Sequence, residues 1–207
     1  MDNAILSKRQ VNAMERLKDT ILKNVETLVC TAMGTNDPAH DPSHVHRVLE
    51  LSRKLLEYYP QADVFRTELL ALLHDMQDDK LAAQTQTASL ADFLSSVGAE
   101  KEDIAFVLSA IPYISYRKYP RLPEGTPIEI RIVQDADRLD AMGAVGIART
   151  FAFGGAKGRP LSESIAHFEE KLLLLYDLLS TPEAKELAKP RLALLQDFYS
   201  QYKEETK

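Results

Sequence analysis

The segment DVFRTELLALLHDM, residues 63–76, is apolar around most of a helix's circumference through Leu69, Leu70, Leu72 and Leu73, and it runs into an adjacent histidine and aspartate. A helix without a polar stripe has to be covered on all sides. The segment is therefore read as the buried centre of the fold, with the rest of the chain packed around it.

The remaining periodicity agrees with an all-α bundle. Met14, Leu17, Ile21, Val25, Leu28 and Ala32 step by three and four along a first amphipathic helix, which the turn-rich GTNDPAH ends. A second helix starts near Asp41-Pro42, with a capping side chain and proline in the first turn, and runs to YYP. SLADFLSSVGA and KEDIAFVLSAI read as two shorter helices, followed by the loop PYISYRKYPRLPEGTP. IEIRIVQDADRLDAMGAVGIART reads as one long helix, FAFGGAKGRPL as a glycine-rich loop, and two C-terminal helices follow. Thr181-Pro182 starts the last of these, and Pro190 is expected to kink or divide it. No segment alternates at period two long enough for a strand.

Composition narrows the function. A chain of 207 residues with 45% hydrophobic and 27% charged residues is ordinary globular stock, expected to form a single domain over 1–207. No signal-like or membrane-spanning run is present. Cys30, the only cysteine, excludes an intrachain disulfide and suits a reducing cytoplasm. A net charge of -6 argues against nucleic acid as the main ligand, while leaving room for a local basic pocket that takes a small phosphorylated molecule. Oligomeric state is left open, with a homodimer as one option.

Three of the five histidines lie in HDPSHVHRV. With a helix starting near residue 42, His44 shares a stripe with Val48, Leu51 and Leu55 and faces inward, whereas His46 lines up with Glu50 and Arg53 on the polar face and His40 precedes the helix. An inward histidine is more often a hydrogen-bonded core residue than a ligand. His74 and Asp75 change that weighting, because a carboxylate at the end of so apolar a helix is costly unless paired or bound to a cation. QDADRLD adds Asp135, Asp137 and Asp140 to a helix otherwise rich in Ile, Val, Ala and Met, and three acids so close repel one another unless something positive sits among them. Two imidazoles with two carboxylates suit one divalent transition ion, manganese first, with iron, cobalt, nickel or zinc as alternatives. Such an ion lowers the pKa of a bound water to about 7 and orients a phosphoryl oxygen.

The ordered set HDPSHVHRV, ALLHDMQDDK, IVQDADRLDAMGAVGIARTFAFGG and GRPL resembles the HD superfamily of metal-dependent phosphohydrolases, in particular small stand-alone bacterial HD proteins that include nucleotide pyrophosphohydrolases. That resemblance covers most of the chain and implies an HD-type helical bundle, a nucleotide substrate, and metal ligation by His44, His74, Asp75 and one aspartate of QDADRLD. The family's arrangement favours Asp137. Periodicity leaves Asp135 open, since each aspartate aligns with its own set of apolar neighbours.

Asp78 follows His74 by four residues, so a continuing helix keeps it beside the metal face. HD hydrolases of guanosine tetraphosphate carry an acidic pair at the positions of Asp78 and Asp79, and by that resemblance either could orient the attacking water or protonate the leaving oxygen. Lys80, Arg117, Arg138 and Arg159 flank the proposed metal-bearing segments and are the candidate phosphate contacts. FGGAKGR lacks the spacing of a P-loop. Tyr113, Tyr116 and Cys30 are assigned to packing, and His167 to structure or solvent. The expected reaction is release of pyrophosphate from a nucleoside triphosphate, with nucleoside monophosphatase and guanosine tetraphosphate hydrolase as alternatives. A metal- or nucleotide-binding sensor is the non-enzymatic alternative.

Overall fold

The computed structural model describes residues 8–33, 42–76 and 89–207. The described residues form helices and connecting turns, without strands: α1 (Lys8–Met33), α2 (Pro42–Leu56), α3 (Val64–Leu73), α4 (Leu90–Ser96), α5 (Lys101–Ile114), α6 (Ile128–Asp140), α7 (Gly143–Ala156), α8 (Leu161–Glu170), a 3-10 turn (Leu172–Leu174), α9 (Leu175–Leu178) and α10 (Pro182–Glu205). None of these helices is long and apolar enough to cross a membrane.

α3 takes the central place that its composition demands. Leu69 to Leu73 are at most 2% exposed, and the helix packs against α1, α2, α5 and α6. Burying each leucine contributes about 2 kcal/mol. Asp63 caps the start of α3 by accepting from the Arg66 backbone N–H. One connected apolar core runs from Ile21 on α1 to Leu195 on α10. On α1 the stripe is shorter than its periodicity suggests: Ile21, Val25 and Leu28 are buried, but Met14 and Leu17 are 39% and 48% exposed.

Three boundaries differ from the sequence reading. The long helix expected from residue 128 is two helices, because Gly143 adopts φ +72° and turns the chain after Asp140. An added Cβ there would also crowd the Arg191 side chain at 3.1 Å. The glycine-rich stretch is helical through Ala156 rather than a loop from Phe151. Within it Gly154 lies against α8, where a Cβ would stand 2.2 Å from Ser164 Oγ. Finally, Pro190 does not divide α10, which is assigned as one helix from Pro182 to Glu205, and Pro112 lies inside α5. As expected, Thr181 caps α10, accepting from the Ala184 N–H.

Candidate metal centre and its cleft

α2, the end of α3 and α6 converge on one point. His44 and His74, 3% and 6% exposed, bring their Nε2 atoms to 3.2 Å of each other. Ligand atoms of His44, His74 and Asp75 all lie within 4.8 Å of one another. Asp137 Oδ1 lies 3.4 Å from His44 Nε2 and 3.8 Å from His74 Nε2. The structure thus brings together the four residues considered as ligands.

The outward nitrogens explain the orientation of the rings. His74 Nδ1 lies 2.8 Å from the Ala71 carbonyl, and His44 Nδ1 lies 2.8 Å from Asp140 Oδ2. Both Nδ1 positions therefore donate away from the centre, which leaves two Nε2 atoms and two carboxylates facing inward. Lone pairs and negative charge converging at 3.2–3.8 Å repel unless a cation or a proton lies among them. A mixed nitrogen and oxygen set of this kind fits a divalent transition ion.

Burial alone would lower the basicity of His44, but hydrogen bonds with Asp137, Asp140 and Asp75 outweigh it and raise its pKa to about 10. Burial likewise opposes ionisation of Asp137, and the two imidazoles reverse that and hold its carboxyl below the usual range. A raised His44 pKa favours a proton on the imidazole in the metal-free protein, which a metal ion would have to displace. The sign follows: metal affinity rises with pH up to the His44 pKa. Adding metal to chelator-treated protein at pH 7 should release about one proton per ion, read as a dependence of calorimetric heat on the buffer's ionisation enthalpy.

Asp140 is a functional residue that sequence reasoning did not resolve. It is 1% exposed, accepts from Arg47 Nε at 2.6 Å and Arg149 NH1 at 2.7 Å, and holds His44 Nδ1. Burial raises the cost of its charge, but His44 and Arg47 more than compensate and depress its pKa. Two arginines and one carboxylate thus fix the ring that carries a ligand atom. Two of its partners, Arg47 and His44, lie 93 and 96 residues away on α2, beyond the reach of any local spacing rule.

The other candidates separate clearly. Asp135 is fully buried and accepts from the Ser180 and Thr181 backbone N–H groups and the Thr181 hydroxyl, so it ties α6 to the start of α10. Arg138 departs from the expected substrate role: it is 2% exposed, and its guanidinium donates to the carbonyls of Leu178, Tyr119 and Pro120. Helix periodicity explains this, since Arg138 follows Asp137 by 100° and turns from the metal into the interior. Asp78, Asp79, Lys80 and His40 lie outside the described residues.

His46 is paired with Glu26 on α1 at 3.2 Å. His46→Ala is expected to keep metal content and turnover within about twofold of the parent, checked by metal analysis of the purified variant. Cys30 is exposed rather than packed, with Sγ 3.7 Å from His46 Nε2, because the stripe of Ile21, Val25 and Leu28 turns residue 30 away from the core.

A cleft of about 950 Å³ opens from His44, His74, Asp75 and Asp137. Arg117, Lys118, Arg149, Arg159 and Lys171 line it, as do Tyr116 and the half-buried His167. His167 and Tyr116 thus face a cavity rather than serving only as packing, whereas Tyr113 stacks on Tyr119 with centroids 4.4 Å apart.

Residues 43–142 match the HD domain family model, which spans all four convergent residues. The YpgQ protein of Bacillus subtilis is 39% identical over 195 residues, covering 91% of this chain and 94% of that protein. The chain belongs to the HD superfamily. The crystal structure of Bacillus subtilis YpgQ in complex with ADP matches this HD protein with a TM-score of 0.76 at 34% identity, covering 91% of this chain and 96% of that one. A crystal structure of an HD-superfamily hydrolase from Bacillus thuringiensis matches with a TM-score of 0.67 at 34% identity, covering 91% and 97% of the two chains. This HD protein is accordingly a hydrolase of a metal-dependent phosphohydrolase family, and its His44, His74 and Asp75 cluster fits a divalent metal.

Proposed function

We propose that this HD hydrolase converts a nucleoside triphosphate to a monophosphate and pyrophosphate, using one divalent transition ion, manganese by preference, held by His44, His74, Asp75 and Asp137. The observation that carries the reading is the cleft: it leads from the proposed ligands past more cations than a single phosphate requires. The ADP seen with the YpgQ relative supports a nucleotide as the ligand class.

When bound, the ion supplies Lewis acidity toward a phosphoryl oxygen and a nucleophile usable near neutral pH. The chain's own groups do the rest. Asp140, clamped by Arg47 and Arg149, keeps His44 oriented so that only Nε2 faces the centre. Arg117 and Arg159, in the cleft wall, offset the charge of the leaving diphosphate as the bond to the α-phosphorus breaks. Asp78 and Asp79 carry the proposed proton transfer to the leaving oxygen.

The test is a panel of ribo- and deoxyribonucleoside triphosphates with several divalent ions in oxygen-18 water. Pyrophosphate with the label on the monophosphate is expected. Orthophosphate as the first product, or turnover confined to monophosphates, would remove the assignment.

A further inference from the structure

Two aromatic residues of the cleft wall, Tyr116 and Phe153, already carry cations. Lys171 Nζ lies 5.0 Å from the Tyr116 ring centroid, and the Arg159 guanidinium carbon lies 5.1 Å from that of Phe153. Lys157 adds a second cation over Phe153 at 5.7 Å. A ring holding a cation over its face is a seat that positions charge, and that face is not open to a nucleobase.

The cations themselves differ from most well-placed charges in this chain. Arg53 is paired with Glu68, Arg66 with Asp103, and Arg149 with Asp140. Among the described residues no carboxylate pairs with Arg117, Lys118, Arg159 or Lys171, although the chain's net charge is -6. They come from three separate places, the segment after α5, the turn between α7 and α8, and the residue after α8, yet all four line one cleft. Apart from Asp75 and Asp137, Glu170 is the acid of the cleft lining, so these four cations outnumber it. His167, between them in the wall, is pushed below its usual pKa by burial and then by Lys171, against the opposite pull of Glu170. α7 contributes Gly146, Arg149, Thr150 and Phe153 to the cleft wall, a span of about 10 Å along the helix axis, which is room for a polyphosphate tail.

We propose that the part of the cleft lined by Tyr116, Phe153, Arg159 and Lys171 is an anion subsite for the diphosphate end of a polyphosphate, in which Tyr116 and Phe153 seat Lys171 and Arg159 and selection is for tail charge rather than for the base. The direction of the tail rests on the reaction proposed above, whereas the subsite itself does not. It follows that inorganic pyrophosphate and tripolyphosphate bind there without a nucleoside.

The experiment is calorimetric titration of chelator-treated full-length protein with pyrophosphate, comparing the parent with Arg159→Gln/Lys171→Gln. Both side chains are at or near the surface, and equal melting temperatures would show that the fold is unchanged. A loss of affinity of fivefold or more in the double variant is expected, together with ATP, GTP, CTP and UTP affinities for the parent that agree within fivefold. A smaller loss, or a larger preference for one base, overturns the proposal. Because no turnover is involved, orthophosphate release with pyrophosphate binding intact would remove the reaction and leave the subsite. Pyrophosphate release with unchanged binding in the double variant would do the reverse.

Discussion

Asp137→Asn should purify without its metal and lose activity by a factor of about 1,000 or more, whereas Asp135→Asn should keep the metal and melt at a lower temperature. The two residues are one turn-fragment apart on α6 and chemically identical, so the contrast isolates geometry. Asp137 directs Oδ1 to within 3.8 Å of both imidazole Nε2 atoms. An amide there keeps the size but brings a neutral, weaker donor and a competing N–H group. Asp135 instead spends its oxygens on three donors at the start of α10. Asparagine would turn an N–H group toward at least one of those donors, costing about 1–3 kcal/mol. Metal content and thermal melting of both variants decide the matter, and the reverse pattern would move the proposed ligand to Asp135.

Arg138→Ala should cost about 3–5 kcal/mol of stability, the loss expected when a buried charge with several partners is deleted. The guanidinium bridges the carbonyls of Leu178, Tyr119 and Pro120, which come from α9 and from the segment between α5 and α6. Alanine would remove the side-chain donor from the Leu178 and Pro120 carbonyls, leave Tyr119 with Gln134 alone, and open a void between α6 and the chain that covers it. For a chain of this length the melting temperature should fall by roughly 10 °C. Remaining folded protein should bind nucleotide as the parent does. A variant with unchanged melting and weakened nucleotide binding would return Arg138 to the phosphate contacts.

What the sequence made legible follows from the range of the interactions. The inward face of His44, the all-round burial of α3 and the Thr181 cap are set within a few residues by helix periodicity and capping, and the described structure has each of them. The HD motif and its ordered companions identified the superfamily for a similar reason, because their spacing is carried in the chain itself. The role of Asp140 was not legible, because nothing near it announces Arg47, and the three aspartates of QDADRLD look alike until their partners are known. Arg138 misled for the same reason: a guanidinium beside a candidate ligand suggests phosphate, and only the path of residues 119–120 and 178 across α6 shows which carbonyls it serves. The break after Asp140 was hidden because glycine inside an otherwise helical pattern is often tolerated, and nothing in the local pattern announces that Gly143 takes a positive φ while Gly146 stays within α7.

The close approach of α7 and α8 at Gly154 has a consequence for how the cleft could diversify. Ser164 and His167, on α8, form part of its wall, and the spacing between that wall and α7 is set where a methyl group at residue 154 would collide with the Ser164 hydroxyl oxygen. Aperture is thereby controlled from behind the wall, at a position outside the cleft lining, while the ligand cluster is anchored on other helices. Cleft width and the His44, His74, Asp75 and Asp137 cluster are separate variables in this scaffold, so a larger or smaller guest could be admitted by altering a hinge of packing while that cluster stays in place.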